Sequence, residues 1–470
     1  MTAKKRNLVW ALWGVSTVAL AAYFAARLTG TDRTVFVPGA TSGGHYQIEL
    51  ACGACHGAAF TSAAAMQEKC EGCHAAALAD ARDAHPLSKF TDPRNAERVA
   101  LLDARDCVTC HVEHEPEITD AGGVSVPGDF CALCHQDVGT ERPSHAAFEY
   151  ATCASAGCHN FHDNRSLYED FLLKHAGQPA LLPDAERPAR NFASIAALLE
   201  SYPRERFPLE PLAAQESDAP AEVAPSAAVR DEWAASSHAA NGVNCTACHA
   251  GVAEQGAAQW VARPDHSSCK ICHASEVDAF LVSRHGMRLD SAALGVELPP
   301  MQPQLARLPM SADARDRRLD CGACHSAHRY DTTHAAVDAC LGCHADEHSR
   351  AYVDSPHARN AVTCATCHMP RTPVDYDWGA YTHVLVQHNQ SDNLRPNEKM
   401  LRPVCTQCHG LEFSIDALAD VELVRHNFNG APGIHVPSTD LAVERRRVID
   451  LERQAQRAGR SDSPSVQPQP

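Results

Sequence analysis

Regular hydrophobic patterning covers little of this chain. The clearest element is an uncharged run from Leu8 to Ala26, preceded by the basic segment "MTAKKRN". Its 19 residues approach the roughly 20 that a helix needs to span a bilayer. They exceed the roughly 7–15 of a signal-peptide apolar core. Tyr23, Phe24 and Arg27 interrupt any small-x-small cleavage site. The run predicts one N-terminal transmembrane helix, with residues 1–27 as an anchor and a cleaved signal as the alternative. Lys4, Lys5 and Arg6 would hold the N-terminus in the cytoplasm, placing the remainder on the periplasmic side of a bacterial membrane. Helical periodicity recurs in "HDNRSLYEDFLLKHAG", as an amphipathic helix ending at His175, around "FASIAALLESY", and over the charged residues 440–458. The final "SDSPSVQPQP" has the composition of disordered chain. Strand signals are sparse, so the expectation is a mainly α fold with extensive coil and little β.

Composition changes this picture, because side chains that would fill a core are scarce. Aromatics make up 6% of 470 residues, yet there are 22 cysteines. A chain this long is no small disulfide-stapled module, so something other than side chains is expected to supply much of the buried apolar surface. The net charge of -17 argues against a nucleic-acid partner, which would want a basic face.

Twenty of the cysteines fall into ten Cys-x-x-Cys-His pentapeptides. Those before residue 140 are Cys52, Cys55 and His56; Cys70, Cys73 and His74; Cys107, Cys110 and His111; and Cys131, Cys134 and His135. Those after residue 240 are Cys245, Cys248 and His249; Cys269, Cys272 and His273; Cys321, Cys324 and His325; Cys340, Cys343 and His344; Cys364, Cys367 and His368; and Cys405, Cys408 and His409. The last two cysteines, Cys153 and Cys158, have four residues between them and are followed by His159. Cys-x-x-Cys-His is the attachment signature of c-type haem. Two thiols a short turn apart meet the two vinyl groups of one porphyrin edge, and the next residue projects an imidazole at the iron. Zinc sites also use Cys-x-x-Cys, but need no histidine directly after it. Histidine is 28 of 470 residues, so ten out of ten by chance is on the order of one in 10¹². The Cys153/Cys158 site reads as an eleventh member whose two extra residues loop out of the turn. Eleven haem c groups are expected, packed as the core.

Eleven proximal histidines leave 17 of the 28. A second axial ligand suits electron transfer, whereas an open position suits small-molecule chemistry. The candidate distal ligands are His45, His85, His114, His145, His162, His175, His238, His266, His285, His328, His334, His348, His357, His383 and His388. His114, His162 and His328 each follow a proximal histidine by three residues, a step that keeps both on one side of a helix. Ser-x-His recurs at Ser236, Ser283 and Ser355, and "HAANGVNCTACHA" from His238 aligns with "HARNAVTCATCHM" from His357. These define a repeat of a lone histidine, a motif and a second motif: His238/Cys245/Cys269, His285/Cys321/Cys340 and His357/Cys364/Cys405. The N-terminal half follows it more loosely as His45/Cys52/Cys70, His85/Cys107/Cys131 and His145/Cys153. His426 and His435 fall outside the pattern and read as ordinary side chains. Met287, Met301 and Met310 read as packing.

The spacing divides the chain into a five-haem region (28–175), an Ala/Pro-rich linker (176–230), a six-haem region (231–435) and a charged helix with a disordered tail (436–470). The motifs make the chain resemble a bacterial multihaem c-type cytochrome. The Ser-x-His…Cys-x-x-Cys-His repeat is similar to that of small tetrahaem cytochromes and of the group containing pentahaem nitrite reductases and octahaem hydroxylamine oxidoreductases. "CATCHMP" from Cys364 and "RPVCTQCH" from Arg402 resemble the latter group. The resemblance implies closely stacked haems forming a conducting chain. It departs where those enzymes do chemistry. No Cys-x-x-Cys-Lys is present, and no motif singles out Tyr376 or Tyr381 for a haem cross-link.

Three functional readings follow. The first is electron transfer between a membrane quinol-linked donor and periplasmic or outer-membrane acceptors. The second is an oxidoreductase acting on a nitrogen or sulfur compound at one open haem, either Cys153/Cys158/His159 or Cys364/Cys367/His368. The third is a subunit whose haems wire a larger complex.

Overall fold

The computed structural model describes the chain except for residues 1–2, 31–33, 58–61, 82–84, 120–122, 143–144, 147–149, 151–159, 163–168, 186–209, 224, 253–257, 299–308, 315–316, 330, 332, 376–381, 391–399 and 462–470. Cys153, Cys158, His159, Met301, Tyr376, Tyr381, the helix expected around "FASIAALLESY" and nearly all of the expected disordered tail lie outside the described residues.

The fold is mainly helical. Among the described residues, helices of seven or more residues are α1 (Ala3–Thr29), α2 (Ala63–Ala81), α3 (Glu169–His175), α4 (Ala227–Ala234), α5 (Ala274–Leu281), α6 (Leu411–Ala419) and α7 (Ser438–Ser461), with many shorter helices between them. Strand content among the described residues is two antiparallel pairs, β1 (Ala250–Val252) with β2 (Ala258–Trp260) and β3 (Arg371–Asp375) with β4 (Thr382–Val386). No residue of α1 is buried, and the helix is long and apolar enough to cross a membrane. The helix foreseen to end at His175 is α3, and the charged C-terminal helix is α7. They dock together, Arg446 of α7 donating to the Leu173 carbonyl at 2.8 Å.

Among the described residues, the buried apolar side chains cluster around Leu401, Leu411 and Ile415, flanked by Phe171, Leu172, Leu418 and Val436. Elsewhere buried hydrophobes such as Trp233, Val277, Phe280 and Leu294 are scattered, which fits a fold organised around something other than side chains. Both ends of the 176–230 segment are docked. Leu181 bridges to His409, the Leu212 amide donates to the Ala239 carbonyl at 2.9 Å, and Asp218 accepts from the Thr246 amide at 2.9 Å. The N-terminal and C-terminal motif regions touch directly. The buried Gln47 side chain donates to the Arg284 carbonyl, and the buried Arg288 guanidinium donates to the Gln47 carbonyl at 2.6 Å.

Candidate functional site

The ten described motifs share one local construction. In the Cys52, Cys107, Cys131, Cys269, Cys321, Cys340 and Cys405 motifs the histidine amide donates to the carbonyl of the first cysteine at 2.8–3.0 Å. That hydrogen bond closes a single turn and puts both sulfurs and the imidazole on one side. Cys70, Cys73 and His74 lie inside α2 at the same i, i+3, i+4 spacing. The Cys245 and Cys364 motifs form one-turn helices, Cys245–His249 and Cys364–His368, N-capped by Asn244 and Thr363.

Every one of these ten histidines faces a second histidine ring. His56 faces His114, His74 faces His45, His111 faces His162, His135 faces His85, and His249 faces His328. His273 faces His238, His325 faces His388, His344 faces His285, His368 faces His348, and His409 faces His357. All ten centroid separations fall between 6.0 and 6.4 Å. Imidazole nitrogens bind first-row metals at roughly 2.0–2.1 Å, so two such bonds in line plus two ring radii span about 6 Å. Each pair is therefore spaced for one metal ion between the rings, which fits the group that the motifs imply.

The pairs obey a rule. The lone histidine of each repeat faces the second motif of its own unit: His45 with His74, His85 with His135, His238 with His273, His285 with His344, and His357 with His409. First-motif histidines are faced from a neighbouring unit. His114, His162, His328 and His388 come from the following unit, and His348 from the preceding one. The three partners placed three residues after a proximal histidine lie nearly parallel to the rings they face, at 16–18°. The five lone-histidine pairs are crossed, at 51–82°.

The recurring Ser-x-His is a helix cap. Ser236 and Ser355 accept from the amides of Ala239 and Ala358 at 3.3 and 3.1 Å and open the turns carrying His238 and His357. The match continues past the cap. Val243 and Val362 donate to the carbonyls of His238 and His357, both at 2.9 Å. Trp233 and Tyr352 donate to the Val243 and Val362 carbonyls at 3.1 and 3.2 Å. Gly242 and Ala361 occupy the same left-handed position, with φ of 77° and 53°. Ser283 accepts from the amides of His285 and Gly286. Gly286 replaces the alanine of the other copies because a Cβ there would sit 2.1 Å from the Phe280 carbonyl oxygen.

Second contacts fix the rings. Nδ1 donates to a backbone carbonyl in His85 (Phe161), His111 (Gly123), His114 (Gly39), His238 (Ala327), His249 (Val261), His348 (Val424), His388 (Val386) and His409 (Ala180), at 2.5–3.0 Å. That tautomer leaves Nε2 unprotonated, the form that can bind a metal; in His348 this nitrogen accepts from the Asn427 side-chain amide at 3.1 Å. His45 differs, its Nδ1 lying 2.6 Å from Oε1 of Glu113. Burial alone would raise the Glu113 carboxyl, but His45 and the Ser42 amide and hydroxyl hold it down at about 2. Burial pushes His285 and His368 down to about 4, and lowers His135, His325, His328, His344, His357 and His388 as well. These rings are held neutral, the form that binds metal. Burial also raises the thiols of Cys70 and Cys324 to about 11 and of Cys367 and Cys405 to about 12. The thiols of Cys269 and Cys364 are instead lowered by their hydrogen bonds to Cys321 and Cys340, Cys269 to about 7.

The remaining candidates are placed differently. His175 packs against Phe171 with ring centroids 4.5 Å apart and tilted by 43°, and pairs with Gln178. His266 begins the helix His266–Lys270, and His334 lies 3.9 Å from Asp338. His383 is on β4 opposite Val374, its side chain outside the described residues. His145 is half-buried, with its pKa lowered chiefly by burial, and the His159 ring is outside the described residues. Met310 pairs through its backbone with His344. His435 bridges Asp416 and Asp440 at 3.1 Å each. Reasoning on motifs overlooked Glu113, although it sits inside "CHVEH" between His111 and His114.

Residues 44–136, which hold the Cys52, Cys70, Cys107 and Cys131 motifs, match the cytochrome c3 family. No curated protein and no solved structure matches the chain. The family match supports covalently bound haem c and a multihaem electron-transfer cytochrome.

Proposed function

We propose that the chain is an eleven-haem c-type cytochrome carrying electrons between a membrane quinol-linked donor and periplasmic or outer-membrane acceptors, tethered by α1 on the periplasmic face. Bound haem supplies one-electron redox chemistry, at a potential tuned by its axial ligands and surroundings. The observation that carries this reading is the set of ten facing histidine pairs. Two strong ligands at every described motif leave no position for a substrate. The cysteines attach the groups, backbone carbonyls orient the rings, and burial keeps the ligands neutral.

Sulfur adjacency supports a relay within each region. Cys70 and Cys107 are within hydrogen-bonding reach, as are Cys269 with Cys321 and Cys340 with Cys364. Cys55 and Cys73, Cys248 and Cys269, Cys324 and Cys343, and Cys367 and Cys408 lie close enough to interact electrostatically. The motifs from Cys245 to Cys408 thus follow one another in space as in sequence. Gln47, Arg284 and Arg288 join the two regions beside His45 and His285, which makes that contact the crossing point.

Intact mass of the matured protein tests the count of eleven. Electron paramagnetic resonance tests the coordination, with an all-low-spin spectrum expected. A high-spin signal perturbed by nitrite or hydroxylamine would favour the oxidoreductase reading. His348 opposite His368 weighs against an open position at Cys364/Cys367, which leaves Cys153/Cys158/His159 as the site for that reading.

A further inference from the structure

One segment serves three sites. In His111-Val112-Glu113-His114, His111 belongs to the Cys107 motif and faces His162, while His114 faces His56. Glu113 points elsewhere, to His45, the ring that faces His74. Its carboxylate takes three donors: His45 Nδ1 at 2.6 Å, the Ser42 amide at 2.7 Å and the Ser42 hydroxyl at 2.8 Å. Eight other paired histidines turn Nδ1 to a neutral backbone carbonyl. Asp346 lies 3.9 Å from His344 Nδ1, too far for a hydrogen bond.

We infer that Glu113 is a positioning residue that sets the reduction potential of the haem at Cys70/Cys73, the one attached beside His74 and faced by His45. This rests on the haem reading above and deepens it. A carboxylate acceptor on Nδ1 increases the electron donation of the opposite nitrogen. It also adds a fixed negative charge to a half-buried site, where charge is poorly screened. Both effects favour the oxidised ion, so this haem is held at a lower potential than it would have with a neutral acceptor. The step concerned is a one-electron reduction. The electron comes from a redox partner or, in the test, from a chemical reductant. The proton stays on Nδ1 within its hydrogen bond, and no bond is made or broken.

The location gives the effect a consequence. Gln47, two residues after His45, is clasped by Arg284 and Arg288, which flank His285, the partner of His344. A low-potential site here stands at the crossing between the two regions. Its potential bears on every electron that crosses there, so Glu113 influences how readily the halves equilibrate.

Glu113→Gln keeps the shape and an acceptor oxygen while removing the charge. Potentiometric titration of the whole matured protein, followed by electron paramagnetic resonance, is expected to show one haem shifted upward by about tenfold in its one-electron equilibrium, about 59 mV, with the others unmoved. The signal of that haem should also change shape. Intact mass confirms that the haem count is preserved. An unchanged set of potentials with full haem content would overturn the inference, because a structural role alone predicts that result. His45→Ala separates this outcome from failure of the haem reading itself. If one haem then becomes high-spin, the ligation stands whatever Glu113→Gln does. If none does, His45 is not a ligand and both proposals fall.

Discussion

Ser355→Ala tests whether the recurrent serine holds a ligand in place. Ser355 is fully buried, and its hydroxyl accepts from the Ala358 amide at 3.1 Å, opening the turn Pro356–Arg359 that carries His357. Removing an N-cap serine costs about 0.5–2 kcal/mol. Here it also strands an amide away from water, which pushes the cost towards the upper half of that range, about 1–2 kcal/mol. At roughly 1.4 kcal/mol per factor of ten, the His357 turn should open about ten times more often. Carbon monoxide binds the reduced protein only where a ligand has left, so its capture rate reads the opening directly. The variant should show one phase about tenfold faster, belonging to the site of His409 and His357. Ser355→Gly should fall between the parent protein and Ser355→Ala, because glycine suits the N-cap backbone but leaves the same Ala358 amide without its acceptor. Unchanged capture kinetics in Ser355→Ala, with the full haem complement, would refute the argument that the cap presents the ligand.

Four further outcomes follow. Ala361 holds φ of 53° where its repeat mate Gly242 holds 77°, and a side chain there costs about 1–2 kcal/mol. Ala361→Gly should therefore raise the denaturant midpoint and Gly242→Ala should lower it, by about 1 kcal/mol each. The nearly parallel ring pairs and the crossed pairs should give two classes of low-spin resonance signal, and exchanging His328 for alanine should remove one member of the parallel class only. His435 is raised to about 9, first by its hydrogen bond to Asp416 and then by that to Asp440. Its folded pKa lies above the unfolded value of about 6.5, so its stabilisation is complete below that pH and is lost as pH rises through about 9. Docking of the α7 N-terminus, followed by hydrogen exchange, should loosen across that window, and His435→Ala should abolish the dependence. Finally, the chain made without haem attachment should lack the cooperative unfolding of the matured protein, because scattered hydrophobes cannot replace the cofactors as a core.

The geometry of the motifs was legible because it is local. Two thiols and an imidazole within five residues need only one turn, and the turn closes through the hydrogen bond from each histidine amide to the first cysteine carbonyl. The apolar run of α1 and the charged periodicity of α7 were legible for the same reason. The histidine that faces each motif was not. Five lone histidines bypass the motif that immediately follows them and face the next one, and four first motifs draw their partner from the following unit. No local pattern specifies such a choice, because the two sides of one metal position are supplied by segments far apart in sequence and their meeting depends on how the units stack. Glu113 is the sharpest case. Its neighbours His111 and His114 announce themselves by spacing, while its own role exists only because the chain brings His45 to within 2.6 Å of it. The sequence by itself determined where each pair of thiols and its following histidine lie. The tertiary structure decided which rings face each other and which carry a charge behind them, since those are relations between turns and not properties of any one of them.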